Sequence, residues 1–169
     1  MTNPKLDNLN ALSQQQYLEQ LQHICSSQRW QQLMLKQRPI RSMQQFKQVA
    51  EDAFKQLNEA DWLEAFAGHP MIGDMSSLQK KYSQAKHLSQ AEQAQVAEAQ
   101  QDTLQQLLDL NHAYLERYGF IFIICASGKP AEVILQALQQ RYGQSREQEL
   151  STAAEQQQQI SFLRMEDLF

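Results

Sequence analysis

The sequence predicts an all-α fold: a single domain, residues 1–169, built as a multi-helix bundle. Three observations lead there. Apolar residues recur at three- and four-residue spacing along most of the chain, the period of a helix with one buried face. Polar capping residues stand immediately ahead of these runs. The one strand-like stretch, Phe120–Ala126, has no partner strands elsewhere in the sequence, and a lone strand cannot satisfy its own backbone.

The elements follow in order. Ser13 precedes Tyr17, Leu18, Leu21 and Ile24 on one helical face, and Gln16 completes a capping box. Trp30, Leu33 and Met34 predict a short second helix, ended by the Arg38-Pro39 step, because a residue before proline is driven out of the α region. Ser42 with Gln45 forms another capping box, opening a helix that carries Phe46, Val49, Ala50, Ala53, Phe54 and Leu57. Asn58 caps the next helix, Glu59 to Ala67, with Trp62, Leu63 and Phe66 on it, and Gly68 stops it. A less regular stretch runs from Gly68 to Leu88. Ser89 then starts a long helix reaching about Tyr118, with Gly119 as its stop signal. Phe120–Ala126 is expected to be an extended, buried connector. Pro130 suits the first turn of a helix ending near Tyr142-Gly143. Ser145 with Gln148 caps a last helix reaching about Met165, and the tract Gln156 to Gln159 inside it is expected to be a solvated face.

The bulk numbers narrow the function. A chain of 169 residues fits one domain and buries roughly 70% of its unfolded surface, so a core forms without a metal or disulfide staple. The net charge of −4, with scattered basic residues, gives no electrostatic footprint for nucleic acid or an anionic membrane. Cys25 and Cys125 lie far apart among apolar neighbours, which fits buried thiols in a reducing compartment. Met1–Leu12 lacks the basic-then-apolar pattern of a secretory leader. The longest apolar run, Phe120–Ala126, is far too short to span a bilayer. The expectation is a cytoplasmic enzyme or binding domain.

His69-Pro70-Met71-Ile72-Gly73 is the most unusual local feature. A helix ends, Pro70 fixes the backbone, Gly73 permits a turn, and the histidine is held at a rigid corner. Imidazole is the side chain best suited to proton transfer near neutral pH. The same pattern also suits a helix-terminal histidine bonded to a backbone group. Ser89-Gln90-Ala91-Glu92-Gln93 is a capping box, a routine helix start. Its free N–H groups and partial positive charge also suit an anionic ligand, and Glu92 in the first turn is placed to orient a nearby imidazole. Arg164, beside Ile160 and Leu163 near the end of the last helix, fits either a favourable helix C-terminus or a fork for a carboxylate or amide edge. The backbone groups of Phe122, Ile123, Ile124, Cys125 and Ala126 must find partners, and a planar, amide-rich ligand can supply them; simple core packing is the other reading. His23, His87 and His112 show no zinc-ligand spacing. Serine-hydrolase, phosphate-loop and dinucleotide-binding motifs are absent.

Taken together, these segments resemble the OHCU decarboxylase family, the 2-oxo-4-hydroxy-4-carboxy-5-ureidoimidazoline decarboxylases of urate breakdown. The resemblance covers nearly the whole chain. Leu9-Asn10 stands at the opening of the first helix, and Trp30 is followed by Arg38-Pro39. The family's His-Pro, short apolar step and Gly is His69 to Gly73. Its Ser-x-x-Glu-Gln is Ser89 to Gln93. Its Leu-Asn-x-x-Tyr is Leu110 to Tyr114, leading to Tyr118-Gly119-Phe120. Its closing Ile-x-x-Leu-Arg is Ile160 to Arg164. One departure is clear: where the family usually reads Phe-Gly-Phe-Pro-Phe, this chain has Tyr118-Gly119-Phe120-Ile121-Phe122, which frees a dihedral angle and restores an N–H. The chain ends Asp167-Leu168-Phe169, without a peroxisomal tripeptide, in keeping with a cytoplasmic, bacterial-type member.

The resemblance implies an all-helical homodimer acting on a small-molecule ureidoimidazoline, with neither metal nor organic cofactor, and giving (S)-allantoin. It implies catalytic roles for His69 as proton donor, Glu92 as its orienting partner and Arg164 as the hold on an anionic or carbonyl edge. It implies substrate contacts from Pro70, Ser89, Gln90, Ala91, Glu92, Gln93, Arg164 and the backbone of Phe122 to Ala126. Two other classes stay open on the residues alone: a helical interaction module without catalysis, and a related lyase or hydrolase acting on another ureido or imidazolone compound.

Overall fold

Ser13, Asn58 and Ser145 open helices as their contexts predict. Ser13 Oγ accepts from the Gln16 backbone while Gln16 Oε1 accepts from Ser13 N, at 3.2 and 3.1 Å. Asn58 and Asp61 make the same reciprocal pair, both bonds 3.0 Å. Ser42 makes only half of its box: its Oγ accepts from Gln45 N at 3.0 Å, but Gln45 Oε1 turns to Arg41 N at 2.7 Å.

The computed structural model describes the backbone of residues 3–70 and 90–168, with side chains at 3–70 and 100–168. Among the described residues there are eight helices and no strand: α1 (Pro4–Ala11), α2 (Gln14–Ile24), α3 (Gln28–Leu35), α4 (Met43–Lys55), α5 (Glu59–Ala67), α6 (Gln90–Tyr118), α7 (Ala131–Tyr142) and α8 (Arg146–Leu168). None is long and apolar enough to cross a membrane. The expected extended connector, 120–126, is neither helix nor strand, with Phe120 and Ile123 buried.

Helix α1 is a correction to the sequence reading, which placed Leu9-Asn10 at the opening of the first helix. They lie instead at the end of α1, which Asn3 caps by accepting from Lys5 N at 3.0 Å, with Pro4 in the first turn. Only Leu6 and Leu9 of α1 are buried, too few positions to show a period. From the last turn of α1 the Asn10 side chain binds the Ile40 backbone at both ends, Nδ2 donating to Ile40 O at 2.7 Å and Oδ1 accepting from Ile40 N at 2.8 Å.

The chain divides into two compact units, residues 1–69 with 152–169, and residues 70–151. In the first, α3 packs on α2, α4 and α5. Its core holds Tyr17, Leu21, Ile24, Trp30, Met34, Phe46, Phe54 and Met165. Trp30, Phe54, Trp62 and Phe66 stack in sequence with ring centroids 5.2, 5.6 and 6.2 Å apart. Stacking in this range adds about 0.5–1.5 kcal/mol per pair beyond burial.

In the second unit α6 packs along α7, burying Leu104, Leu107, Ile134, Leu135 and Leu138. Gly119, at φ +80°, ends α6 in the left-handed region, where glycine carries no Cβ penalty. The Tyr118 hydroxyl lies 2.7 Å from Gln144 O and 2.8 Å from Tyr142 O, fastening the end of α6 to the end of α7.

Candidate active site

The first unit contains two of the residues singled out from sequence, His69 and Arg164, and brings both to one hydrogen-bonded chain. The second contains Phe122–Ala126. Ser89 and the side chains of Gln90, Ala91, Glu92 and Gln93 lie outside the described residues, although the backbone of 90–93 begins α6. Pro70 is described and exposed.

The His69 corner is rigid for a reason the sequence reading did not give. Gly68 ends α5 as the sequence predicts, with φ −74°, an ordinary helical value, so no left-handed turn calls for glycine here. What requires glycine is crowding. A Cβ on Gly68 would lie 2.4 Å from Ser26 Cβ and 2.0 Å from Ser26 Oγ. The loop after α2 thus sits directly on the end of α5, and His69 N closes the last turn on Phe66 O at 3.1 Å. Gly68→Ala is expected to cost about 1–3 kcal/mol, the usual penalty for overpacking. Urea denaturation checks this, and an unchanged midpoint would remove the close approach as the reason for glycine.

His69 is half-buried, and its Nε2 lies 2.5 Å from Gln157 Oε1. Gln157 Nε2 donates to Ser161 Oγ at 3.1 Å, and Ser161 lies 3.1 Å from the Ile24 carbonyl. That carbonyl belongs to the last residue of α2, where helical partners run out. Arg164 Nη1 donates to the same oxygen at 3.3 Å, so Arg164 serves the end of α2 and not its own helix. Burial pushes the His69 imidazole below its ordinary range; the Gln157 hydrogen bond opposes that shift and the Arg164 charge adds to it.

The tract Gln156 to Gln159 is not the uniformly solvated face that its composition predicts, and Gln157 carries no sequence signal as a site residue. In the structure Gln157 and Ser161 are both 0% exposed. The correction follows from helical period: Ala153, Gln157, Ser161 and Met165 recur every fourth residue on one buried stripe of α8. The stripe was readable from its two apolar ends, but composition masked it in the middle.

Cys25, the cap of α2, is fully buried, and burial pushes its thiol up to about 11 despite opposing contributions from Ser27 and Arg164. Only the thiolate reacts with alkylating agents. At pH 8 Cys25 is therefore expected to resist iodoacetamide in the folded protein and to react once urea unfolds it. Peptide mass spectrometry reads the outcome, and equal labelling in both states would contradict it.

In the second unit the connector finds a protein partner. Arg141 Nη1 donates to Ile123 O at 2.6 Å, and its guanidinium sits 4.5 Å from the Phe122 ring centroid. Arg141 Nε pairs with Glu149 Oε1 at 2.8 Å, and Tyr114 donates to the same oxygen at 2.5 Å. Tyr114 and Glu149 are both 0% exposed, and burial raises the Tyr114 phenol, the Glu149 hydrogen bond adding to it. Tyr114 closes the Leu-Asn-x-x-Tyr motif, whereas Arg141 and Glu149 carry no sequence signal, because charged residues on helices ordinarily face water.

A family model described as OHCU decarboxylase matches residues 10–166. The chain belongs to the OHCU decarboxylase family. It is 36% identical over 145 residues to the uric acid degradation bifunctional protein TTL of Arabidopsis thaliana, covering 86% of this chain and 45% of that longer protein. It is 25% identical over 174 residues to the 2-oxo-4-hydroxy-4-carboxy-5-ureidoimidazoline decarboxylase of Halalkalicoccus jeotgali, covering 99% of this chain and 93% of the relative. Its fold is similar to a crystal structure of OHCU decarboxylase in the presence of (S)-allantoin, with TM-score 0.70 and 35% identity over 89% of this chain and 97% of the other. OHCU decarboxylase membership thus agrees with the all-α architecture that helical period predicts.

Proposed function

We propose that this chain decarboxylates 2-oxo-4-hydroxy-4-carboxy-5-ureidoimidazoline to (S)-allantoin, with His69 as the proton donor. One observation carries the reading: a half-buried imidazole, held by an interior hydrogen-bond chain, shares that chain with a guanidinium that no carboxylate pairs with among the described residues. This is a setting for an anion and for a proton. Loss of carbon dioxide leaves an electron pair that the conjugated ring spreads, and a proton delivered to one face sets the product's hand.

Electrostatics couples the two groups. Arg164 opposes the charged imidazole, and among the described residues no carboxylate pairs with its charge. A substrate carboxylate at Arg164 cancels that charge, so binding itself favours imidazolium and readies the donor. Glu92 is proposed to orient His69 and favour its charged form. Pro70, Ser89, Gln90, Ala91, Gln93 and the backbone of Phe122, Ile123, Ile124, Cys125 and Ala126 are proposed to contact the ring and ureido amides. These last roles rest on the family resemblance, as do a cytoplasmic homodimer and a single catalytic domain over residues 1–169.

The test generates the unstable substrate in situ from urate with urate oxidase and the hydrolase, and follows (S)-allantoin by circular dichroism. Purified protein is expected to accelerate its appearance well beyond the spontaneous rate. No acceleration would remove the decarboxylase reading.

A further inference from the structure

The Ile24 carbonyl can only accept hydrogen bonds, and this sets the direction of the whole chain of bonds that ends on it. Ser161 has one hydroxyl hydrogen, and its Oγ lies 3.1 Å from Ile24 O, so that hydrogen goes to the carbonyl. Ser161 Oγ is left as an acceptor, which Gln157 Nε2 fills at 3.1 Å. With its amide nitrogen aimed at Ser161, Gln157 turns Oε1 toward the imidazole, 2.5 Å from His69 Nε2. An amide oxygen needs a donor opposite it, so Nε2 bears the hydrogen. The reversed amide is the poorer arrangement: Gln157 Oε1 would draw the single Ser161 hydrogen away from Ile24 O, leaving that carbonyl only the longer 3.3 Å bond from Arg164 Nη1 and leaving Ser161 Oγ without the donor that Gln157 Nε2 supplies. Bulk water offers no relief, since Gln157 and Ser161 are both 0% exposed.

We propose that the Gln157–Ser161–Ile24 chain holds His69 as the Nε2–H tautomer and so makes Nδ1 the nitrogen that delivers the catalytic proton. The inference rests on the proton-donor reading of His69. Gln157 is a positioning residue, acting through His69. In the charged form both ring nitrogens bear hydrogen; Nε2–H stays on Gln157 and Nδ1–H faces the reaction. The bond from the ring carbon to the carboxylate carbon breaks, and carbon dioxide leaves. The electron pair stays on the ring and takes the Nδ1 proton, forming the new C–H bond. The imidazole returns to its neutral Nε2–H state, ready to take another proton at Nδ1. Among the described residues, Arg164 of α8 is the charged group that bears on the imidazole, and it reaches the same Ile24 carbonyl.

The experiment reads the tautomer directly. Protein labelled with ¹⁵N-histidine is examined by two-bond ¹H–¹⁵N correlation, and the His69 ring is assigned by its absence in His69→Ala. At a pH where the ring is neutral, Nε2 is expected to give the protonated signature and Nδ1 the lone-pair signature. Gln157→Leu is expected to mix the tautomers and lower kcat about tenfold or more with KM within about twofold, the pattern for misorienting a proton carrier. Gln157→Glu keeps an acceptor opposite Nε2, so it is expected to restore the single tautomer and much of kcat. Its carboxylate favours the imidazolium, so the alkaline limb of the rate profile moves to higher pH. A wild-type ring protonated on Nδ1 would overturn the proposal. So would a Gln157→Leu protein with unchanged tautomer and kcat. If instead the tautomer follows Gln157 while His69→Ala keeps the full rate, the positioning chain stands and the assignment of the catalytic proton to His69 falls.

Discussion

His69→Ala is expected to lower kcat by about 10²–10⁴-fold, the usual contribution of a positioned general acid, in a protein that still folds. The variant keeps the backbone bond from residue 69 to Phe66 O and removes only the end of the imidazole chain. It leaves Gln157 Oε1 without its partner, at a cost of about 1–3 kcal/mol, so a lower melting temperature is expected alongside the lost rate. The two losses separate by assaying well below the melting transition. The same assignment fixes a pH dependence. The donor is the charged imidazole, and His69 titrates below its ordinary value of 6.5, so kcat/KM falls as pH rises through that lowered pKa. In the complex a substrate carboxylate offsets Arg164, so the alkaline limb of kcat is expected at higher pH than that of kcat/KM. Coincident limbs would show that Arg164 does not meet an anion, and a full-rate His69→Ala protein would end the proton-donor role.

Glu149→Ala is expected to destabilise the protein by about 3–5 kcal/mol, the range for stranding one half of a buried ion pair. Glu149 is 0% exposed and Arg141 only 12% in its side chain, so the guanidinium left behind loses its carboxylate with little water to replace it. The Tyr114 hydroxyl loses its acceptor at the same step. The damage spreads to the connector, because Arg141 also binds Ile123 O. Urea unfolding followed by far-ultraviolet circular dichroism measures the change. A loss below about 1 kcal/mol would place this pair among ordinary surface bridges. Substituting Arg141 and Glu149 together by apolar residues of similar volume is expected to cost less than Glu149→Ala alone, since neither charge is then stranded.

The helices were legible because caps and apolar period act locally: Ser13, Asn58 and Ser145 start helices in the structure as they do on the page of sequence. Helix α1 was not, because two buried leucines carry no period. His69 and Arg164 were legible as residue types suited to proton transfer and anion binding, and family motifs gave them order. Gln157 was hidden by its three glutamine neighbours, although a four-residue step from Ala153 or Ser161 reaches it. Gly68 was legible as a helix stop, but the steric approach of Ser26 that requires glycine there is a long-range fact that no local pattern encodes. Arg141 and Glu149 were invisible for the same cause: their burial depends on what α6 and the connector lay over them.

The stacked ladder of Trp30, Phe54, Trp62 and Phe66 has a spectroscopic consequence. Trp30 and Trp62 are the chain's two tryptophans, and both belong to the unit formed by residues 1–69 with 152–169. Intrinsic indole emission therefore senses the half of the protein that holds His69, Gln157 and Arg164, while the Tyr114–Glu149–Arg141 half is dark at that wavelength. Emission reports the tryptophan-bearing unit while backbone ellipticity sums over the helices of both, so the two signals recorded on one sample separate its unfolding from that of the whole chain without any added label.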